Sequence, residues 1–169
     1  MTIPDFQTIM QPLLELARDG KERSLAEIRH SLSCVFKLTQ VELTELLPSG
    51  TQPIFNNRVA WASIYLQRAG LLKRPKRGWY QITERGLEVL KEKPQKINII
   101  FLDKFPEFVE FRETKKDKTA IAATTDIETS EANPEEALES AFQELQHTLA
   151  QIFYRPLKSV LRSSSNGLL

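Results

Sequence analysis

The chain reads as an α+β protein, mostly helical, and three observations predict this. Apolar residues recur at helical spacing through most of the first 69 positions. The period then shortens to that of strands around a cluster of bases, and helical spacing returns at Glu84. The third is composition: of 169 residues, 41% are hydrophobic and 27% charged, enough for one buried core and too apolar for a disordered chain.

Asp5 caps a first helix whose stripe is Phe6, Ile9, Met10, Leu13, Leu14 and Ala17. Pro12 is expected to kink or loosen it, and Asp19-Gly20 ends it. Ser24 caps a second helix with Leu25, Ile28, Leu32, Val35 and Phe36 inward. Thr39 with Glu42 forms a capping box for a short third helix through Leu47. After the loop Pro48-Ser49-Gly50, a fourth helix runs from about Phe55 to Ala69 and stops at Gly70. Residues 71–75 and 79–83 form two short strands around Lys76-Arg77-Gly78, a β-hairpin. Thr83 caps a last helix, Glu84 to Lys93, before Pro94. Three to four helices, a basic hairpin wing and a C-terminal helix make the order of a winged helix-turn-helix, assigned to residues 1–96.

Beyond it, residues 97–112 form an apolar extension expected to pack on the domain, with Phe101, Phe105, Phe108 and Phe111 as core or tether residues. Residues 113–133 lose apolar periodicity and read as a flexible linker. Residues 134–152 form an amphipathic helix with Ala137, Leu138, Ala141, Phe142, Leu145 and Leu149 on one face, which needs something to bury against. Residues 153–169, with Pro156 as a break, read as a disordered tail.

Composition also excludes function classes. No apolar run approaches the ~20 residues that span a bilayer, and the start, MTIPDFQTIMQ, lacks the features of a secretory leader. Cys34 stands alone, so neither an internal disulfide nor a thiolate metal site is available. A cytoplasmic chain with no membrane partner is expected.

The net charge of +1 conceals an asymmetry. Between Arg58 and Lys96 there are ten bases and three acids; between Asp126 and Glu144 there are seven acids and no base. A local excess of bases is the footprint that a polyanion partner requires, although a merely solvated surface carries such blocks too. On the fourth helix, Phe55, Val59, Ala62, Leu66 and Ala69 converge inward. Asn56, Asn57, Ala60, Ile64, Gln67 and Arg68 fall on the opposite side. Amides pair with adenine edges and arginine with guanine, so this face suits a major groove; an ordinary solvated face is the alternative. Arg58 lies nearer the apolar side, where a phosphate remains within reach. Lys73, Arg74, Lys76 and Arg77 crowd the hairpin tip, a density that phosphates would neutralise. Guarding an edge strand is a second use for the same bases. With Gln52, the expected DNA-binding set is Gln52, Asn56, Asn57, Arg58, Gln67, Arg68, Lys73, Arg74, Lys76 and Arg77.

No catalytic or metal residues and no cofactor are expected. His30 and His147 are isolated, and there is no phosphate-cradling glycine loop or nucleophile–base set. Asp103, Glu113 and Lys115 mimic a carboxylate–lysine Mg²⁺ site, but that chemistry needs acids on adjacent strands, and Glu113 opens the linker.

Several short segments agree in order and spacing with a known family: Pro4-Asp5-Phe6-Gln7-Thr8, Asp19-Gly20-Lys21-Glu22, Leu46-Leu47-Pro48-Ser49-Gly50, Gln52-Pro53, Asn57-Arg58-Val59 with Trp61, Ala69-Gly70-Leu71-Leu72 and Ile82-Thr83-Glu84-Arg85-Gly86. Over about residues 3–93 the chain resembles the N-terminal winged-helix domain of Mrr-type restriction endonucleases. Residues 102–108 and 134–151 are similar to that family's linker region. The resemblance implies a DNA-recognition domain, followed in the family by a nuclease domain that cleaves modified, typically methylated, DNA. No nuclease segment is matched, so the resemblance transfers no catalytic residue.

The tail adds an expectation. With codons chosen to permit it, residues 159–169 back-translate two bases out of phase to Cys-Pro-Pro-Gln-Phe-Phe-Glu-Arg-Leu-Val. That string is similar to the Pro-x-x-Phe-Phe-Glu-Arg-Leu-Val stretch opening the family's nuclease domain. A frameshift near residues 151–153 that truncated an endonuclease is expected, and sequencing the gene tests it. The expected function is double-stranded DNA binding, methylated duplex included, without cleavage by this chain. The rival is a protein-interaction module in which residues 134–152 dock on a nuclease or on a second copy as a homo-oligomer.

Overall fold

A computed structural model describes residues 2–118 and 133–164, with side chains described for 2–114 and 133–153. The chain divides into two units between Asn133 and Pro134.

In the first unit, helix α1 (Phe6–Leu16) begins where the Asp5 carboxylate accepts the Thr8 amide, and it buries Phe6, Ile9, Met10, Leu13 and Leu14. It runs unbroken through Pro12. One missing amide donor does not end a helix whose neighbouring turns are all packed into the core. Strand β1 (Arg23–Ser24) follows; two residues are too short for any alternation to reveal. Helix α2 (Leu25–Val35) opens on a full Ser24–Glu27 capping box and buries Ile28 and Leu32. Val35, expected inward, is 58% exposed, because the last turn of α2 overruns the core. Helix α3 (Gln40–Thr44) has the expected Thr39–Glu42 box but stops short of Leu47. The chain instead folds back on itself: Leu46 bridges Pro53, and the Ile54 amide donates to the Glu45 carbonyl at 2.8 Å.

Helix α4 (Ile54–Arg68) carries Phe55, Val59, Ala62 and Leu66 into the core and packs on α1, α2 and α3. It closes at Gly70, whose φ of +77° only glycine adopts without strain, and the Leu71 amide donates back to the Leu66 carbonyl at 2.9 Å. Strands β2 (Leu72–Lys73) and β3 (Trp79–Ile82) form the hairpin, in register Leu72 with Ile82. Strand β3 also pairs with β1, so the antiparallel order is β1-β3-β2. This is a winged-helix-like α+β fold. Helix α5 (Glu84–Lys91) is capped by Thr83, whose hydroxyl accepts the Gly86 amide and donates to the Gly70 carbonyl at 2.6 Å. A side chain at 86 has no room: its Cβ would lie 2.4 Å from the Leu71 carbonyl oxygen.

The apolar extension packs on the domain as helices α6 (Ile99–Leu102) and α7 (Pro106–Lys118), burying Ile97, Leu102 and Phe108 completely. Helix α7 continues through the first six residues of the expected linker; residues 119–132 lie outside the described residues. The second unit is helix α8 (Pro134–Ser164), which passes both the expected end at 152 and Pro156. Proline removes a single intrahelical donor, and long helical flanks on both sides keep the rest of the ladder. Residues 165–169, the end of the expected tail, lie outside the described residues. Among the described residues, no helix is long and apolar enough to cross a membrane.

Candidate nucleic-acid interface

The hairpin leaves directly from the C-terminal end of α4, only three residues separating Arg68 from β2. Its turn is closed by the Trp79 amide donating to the Lys76 carbonyl at 3.1 Å. Lys73, Arg74, Lys76 and Arg77 are all exposed, and among the described residues none forms an ion pair. Lys76 Nζ sits 3.9 Å from the Trp79 ring centroid, which orients one base on a half-buried aromatic surface.

Helix α4 is used differently. Asn56 and Gln67 are partly exposed, alongside Ala60 and Ile64, while Arg68 is exposed. Asn57 does not face outward: it is 1% exposed, and its Oδ1 accepts from Asn133 Nδ2 at 2.7 Å. Helical angle alone put Asn57 on the outer side, but the returning chain at Asn133 occupies that edge. Arg58 is likewise engaged inward, donating from Nη1 to the carbonyls of Ile3 at 2.8 Å and Pro4 at 3.2 Å. It thereby ties the N-terminal segment to α4. Gln52 is partly exposed, and its carbonyl accepts the Leu47 amide at 3.0 Å. The site therefore resolves into the four wing bases and an α4 strip of Asn56, Gln67 and Arg68.

Two groups that set this geometry were not singled out by their residue types. Tyr65 is a hub, edge-on to Phe6 (5.4 Å), Trp61 (5.9 Å), Phe108 (5.4 Å) and Phe111 (6.2 Å). It joins α1, α4 and α7, and burial pushes its hydroxyl up to about 12. The Arg68 guanidinium lies 4.9 Å from the Phe111 ring centroid, so α7 also steadies a candidate contact residue. Arg85 donates to the Ala69 carbonyl at 3.1 Å and pairs with Glu107 at 3.0 Å. The Arg85 side-chain bond holds the Glu107 carboxyl below its ordinary range. Arg85 thus fastens the end of α4, where the wing departs, to α5 and α7. The segment Ile82-Thr83-Glu84-Arg85-Gly86 was the signal for it in the sequence.

Asp103 accepts from Arg112 Nη1 at 2.6 and 2.8 Å, and Glu113 lies on α7. The two acids are therefore not on adjacent strands, the arrangement a Mg²⁺ nuclease site uses. Among the described residues, no group of three His, Cys, Asp or Glu side chains is placed to hold a metal ion.

A helix-rich α+β core with a short three-stranded sheet and a cationic hairpin defines the winged-helix-like class. The family profile described as the Mrr N-terminal domain matches residues 6–92, and the chain belongs to that family. It is similar to the type IV methyl-directed restriction enzyme EcoKMrr of Escherichia coli (strain K12), at 27% identity over 96 residues. Those residues are 56% of this chain and 31% of that enzyme, so the chain matches about a third of the length of this curated relative. No solved structure matches the chain.

Proposed function

We propose that this chain binds double-stranded DNA in the cytoplasm as the recognition part of an Mrr-like restriction system, with methylated duplex among its targets. The observation that carries this reading is the wing: four exposed bases on a five-residue stretch, with no carboxylate paired to them among the described residues. Such a cluster raises the energy of the free protein by self-repulsion, and a phosphate backbone relieves it by releasing counterions. Phosphate contacts of this kind set orientation without reading sequence. Asn56, Gln67 and Arg68 then supply the base-edge donors and acceptors, with Gln52 at the helix entrance. Arg58 and Asn57 hold the reading helix in place from behind. The printed description of EcoKMrr as methyl-directed, together with the family match, supports a modified duplex as the preferred partner. No cleavage step is assigned to these residues.

Fluorescence anisotropy with matched plain and methylated duplexes tests the reading. Binding that weakens steeply with salt, and is tighter for the methylated duplex, is expected. Equal affinity for both duplexes removes the methylation preference, and no binding at low salt overturns the proposal.

A further inference from the structure

Five arginines among the described residues are partly buried, and four of them have partners. Arg23 Nη2 pairs with Asp19 at 2.6 Å, and Arg58 donates to the Ile3 and Pro4 carbonyls. Arg85 holds the Ala69 carbonyl and Glu107, and Arg112 holds Asp103. Arg29, in the second turn of α2, is the exception. Its Nε is buried with no hydrogen-bond partner in the protein, and among the described residues its guanidinium joins no ion pair or aromatic ring. Burial lowers its pKa; Tyr80 acts in the opposite sense, and no carboxylate contributes. A half-buried cation with no counter-charge raises the energy of the free fold and is uncommon.

The position of Arg29 gives that charge a use. The Leu25 amide, at the start of α2, donates to the Gly78 carbonyl of the wing turn at 2.8 Å, and Ser24 is level with Trp79 in the β1–β3 ladder. Arg29 follows Leu25 by four residues, so it stands on the same face one turn further on. Helical side chains lean towards the N-terminus of their helix, and one turn is about 5.4 Å, within the reach of an arginine. The lean carries the Arg29 guanidinium towards the wing, beside Tyr80, two residues beyond Gly78. Two acids near this end of α2 are already engaged: Asp19 by Arg23, and Glu27 by the Ser24 amide at 2.7 Å and hydroxyl at 2.8 Å. The planar fork of an arginine matches two oxygens of a phosphate.

We propose that Arg29 grips a backbone phosphate of the duplex on the α2 side of the wing, extending the interface beyond the hairpin bases and α4. This rests on the DNA-binding reading above, and the test separates the two. In anisotropy with the full chain over a salt series, Arg29→Met is expected to weaken binding roughly 3- to 10-fold at low salt, equally for plain and methylated duplexes. Its log–log slope should be shallower by about 0.9, the share of one phosphate. Arg29→Lys keeps the charge and loses the fork, so the wild-type slope with an intermediate affinity is expected. Lys91→Met controls for the loss of a charge and is expected to match the wild type. Lys91 is an exposed base of α5, the helix that leaves β3 at the end away from the wing tip. In urea the midpoint of Arg29→Met is expected to equal or exceed the wild-type one, since no protein partner is lost and methionine keeps the apolar stem. A wild-type slope in Arg29→Met, the same loss of slope in Lys91→Met, or a lower midpoint in Arg29→Met, which would assign the guanidinium to the fold, overturns the inference and leaves the wing reading standing. A wild-type chain that binds no duplex overturns both.

Discussion

The wing and helix α4 both offer polar side chains in the sequence, yet the fold treats them in opposite ways. All four wing bases stand in solvent. On α4, Arg58 is spent on the carbonyls of Ile3 and Pro4, Asn57 on Asn133, and Arg68 stacks on Phe111. A two-stranded hairpin tip has no neighbours to satisfy, so its charges stay available. A helix packed by four others meets carbonyls and amides on several sides, and a polar side chain there is drawn into holding the fold. Residue type alone therefore identifies ligand contacts more reliably on the wing than on the helix.

The widest test of this contrast is the quadruple variant Lys73→Ala, Arg74→Ala, Lys76→Ala, Arg77→Ala. Its DNA affinity at low salt is expected to fall on the order of a thousandfold, with a log–log salt slope shallower by about 3.6. Its thermal stability should hold within roughly 0.5 kcal/mol, since exposed side chains are being removed. Denaturant titration and a salt series measure both; an unchanged slope would transfer the polyanion contact elsewhere.

Phe108→Ala inverts that pattern. Phe108 is fully buried against Tyr65, so truncation is expected to cost ~3–5 kcal/mol of stability. Binding should weaken only as far as α4 loses its support, and urea unfolding with anisotropy on the folded fraction separates the two effects.

Neighbouring amides make the sharpest comparison. Asn57→Ala removes one side of the buried hydrogen bond to Asn133 and should cost about 1–3 kcal/mol of stability. Asn56→Ala should leave stability unchanged and reduce affinity by about 1–3 kcal/mol, the worth of a base-edge pair. If the two variants exchange phenotypes, the assigned orientation of α4 is wrong.

The smallest expected effect comes from the tie between α4 and α7. Tyr65 titrates near 12 when folded, above the ordinary 10 of an exposed tyrosine. A folded value raised this way gives a stabilisation fully present below pH 10 and lost as pH rises through 12. Native protein is therefore expected to lose roughly 2 kcal/mol across that window, and Tyr65→Phe to lack this component. Unfolding curves between pH 9 and 12 would show it, and parallel alkaline profiles would separate Tyr65 from the effect.

Much of the fold was readable along the chain because its signals are local. Asp5, Ser24, Thr39 and Thr83 each cap the next helix through the bonds expected of them. Gly70 ends α4, and the hairpin lies where the period changes. Strand β1 was invisible, because two residues acquire strand character only by pairing with β3. The end of α3 and the exposure of Val35 were misjudged for a related reason: they depend on where the chain turns back or the core runs out.

The order of residues by itself determined the capped helices and the basic wing, since each follows from neighbours within a few positions. Tertiary structure alone decided which polar groups of α4 remained free. A side chain is available to a ligand only if no distant backbone or amide claims it, and Ile3, Pro4 and Asn133 reach α4 only through packing.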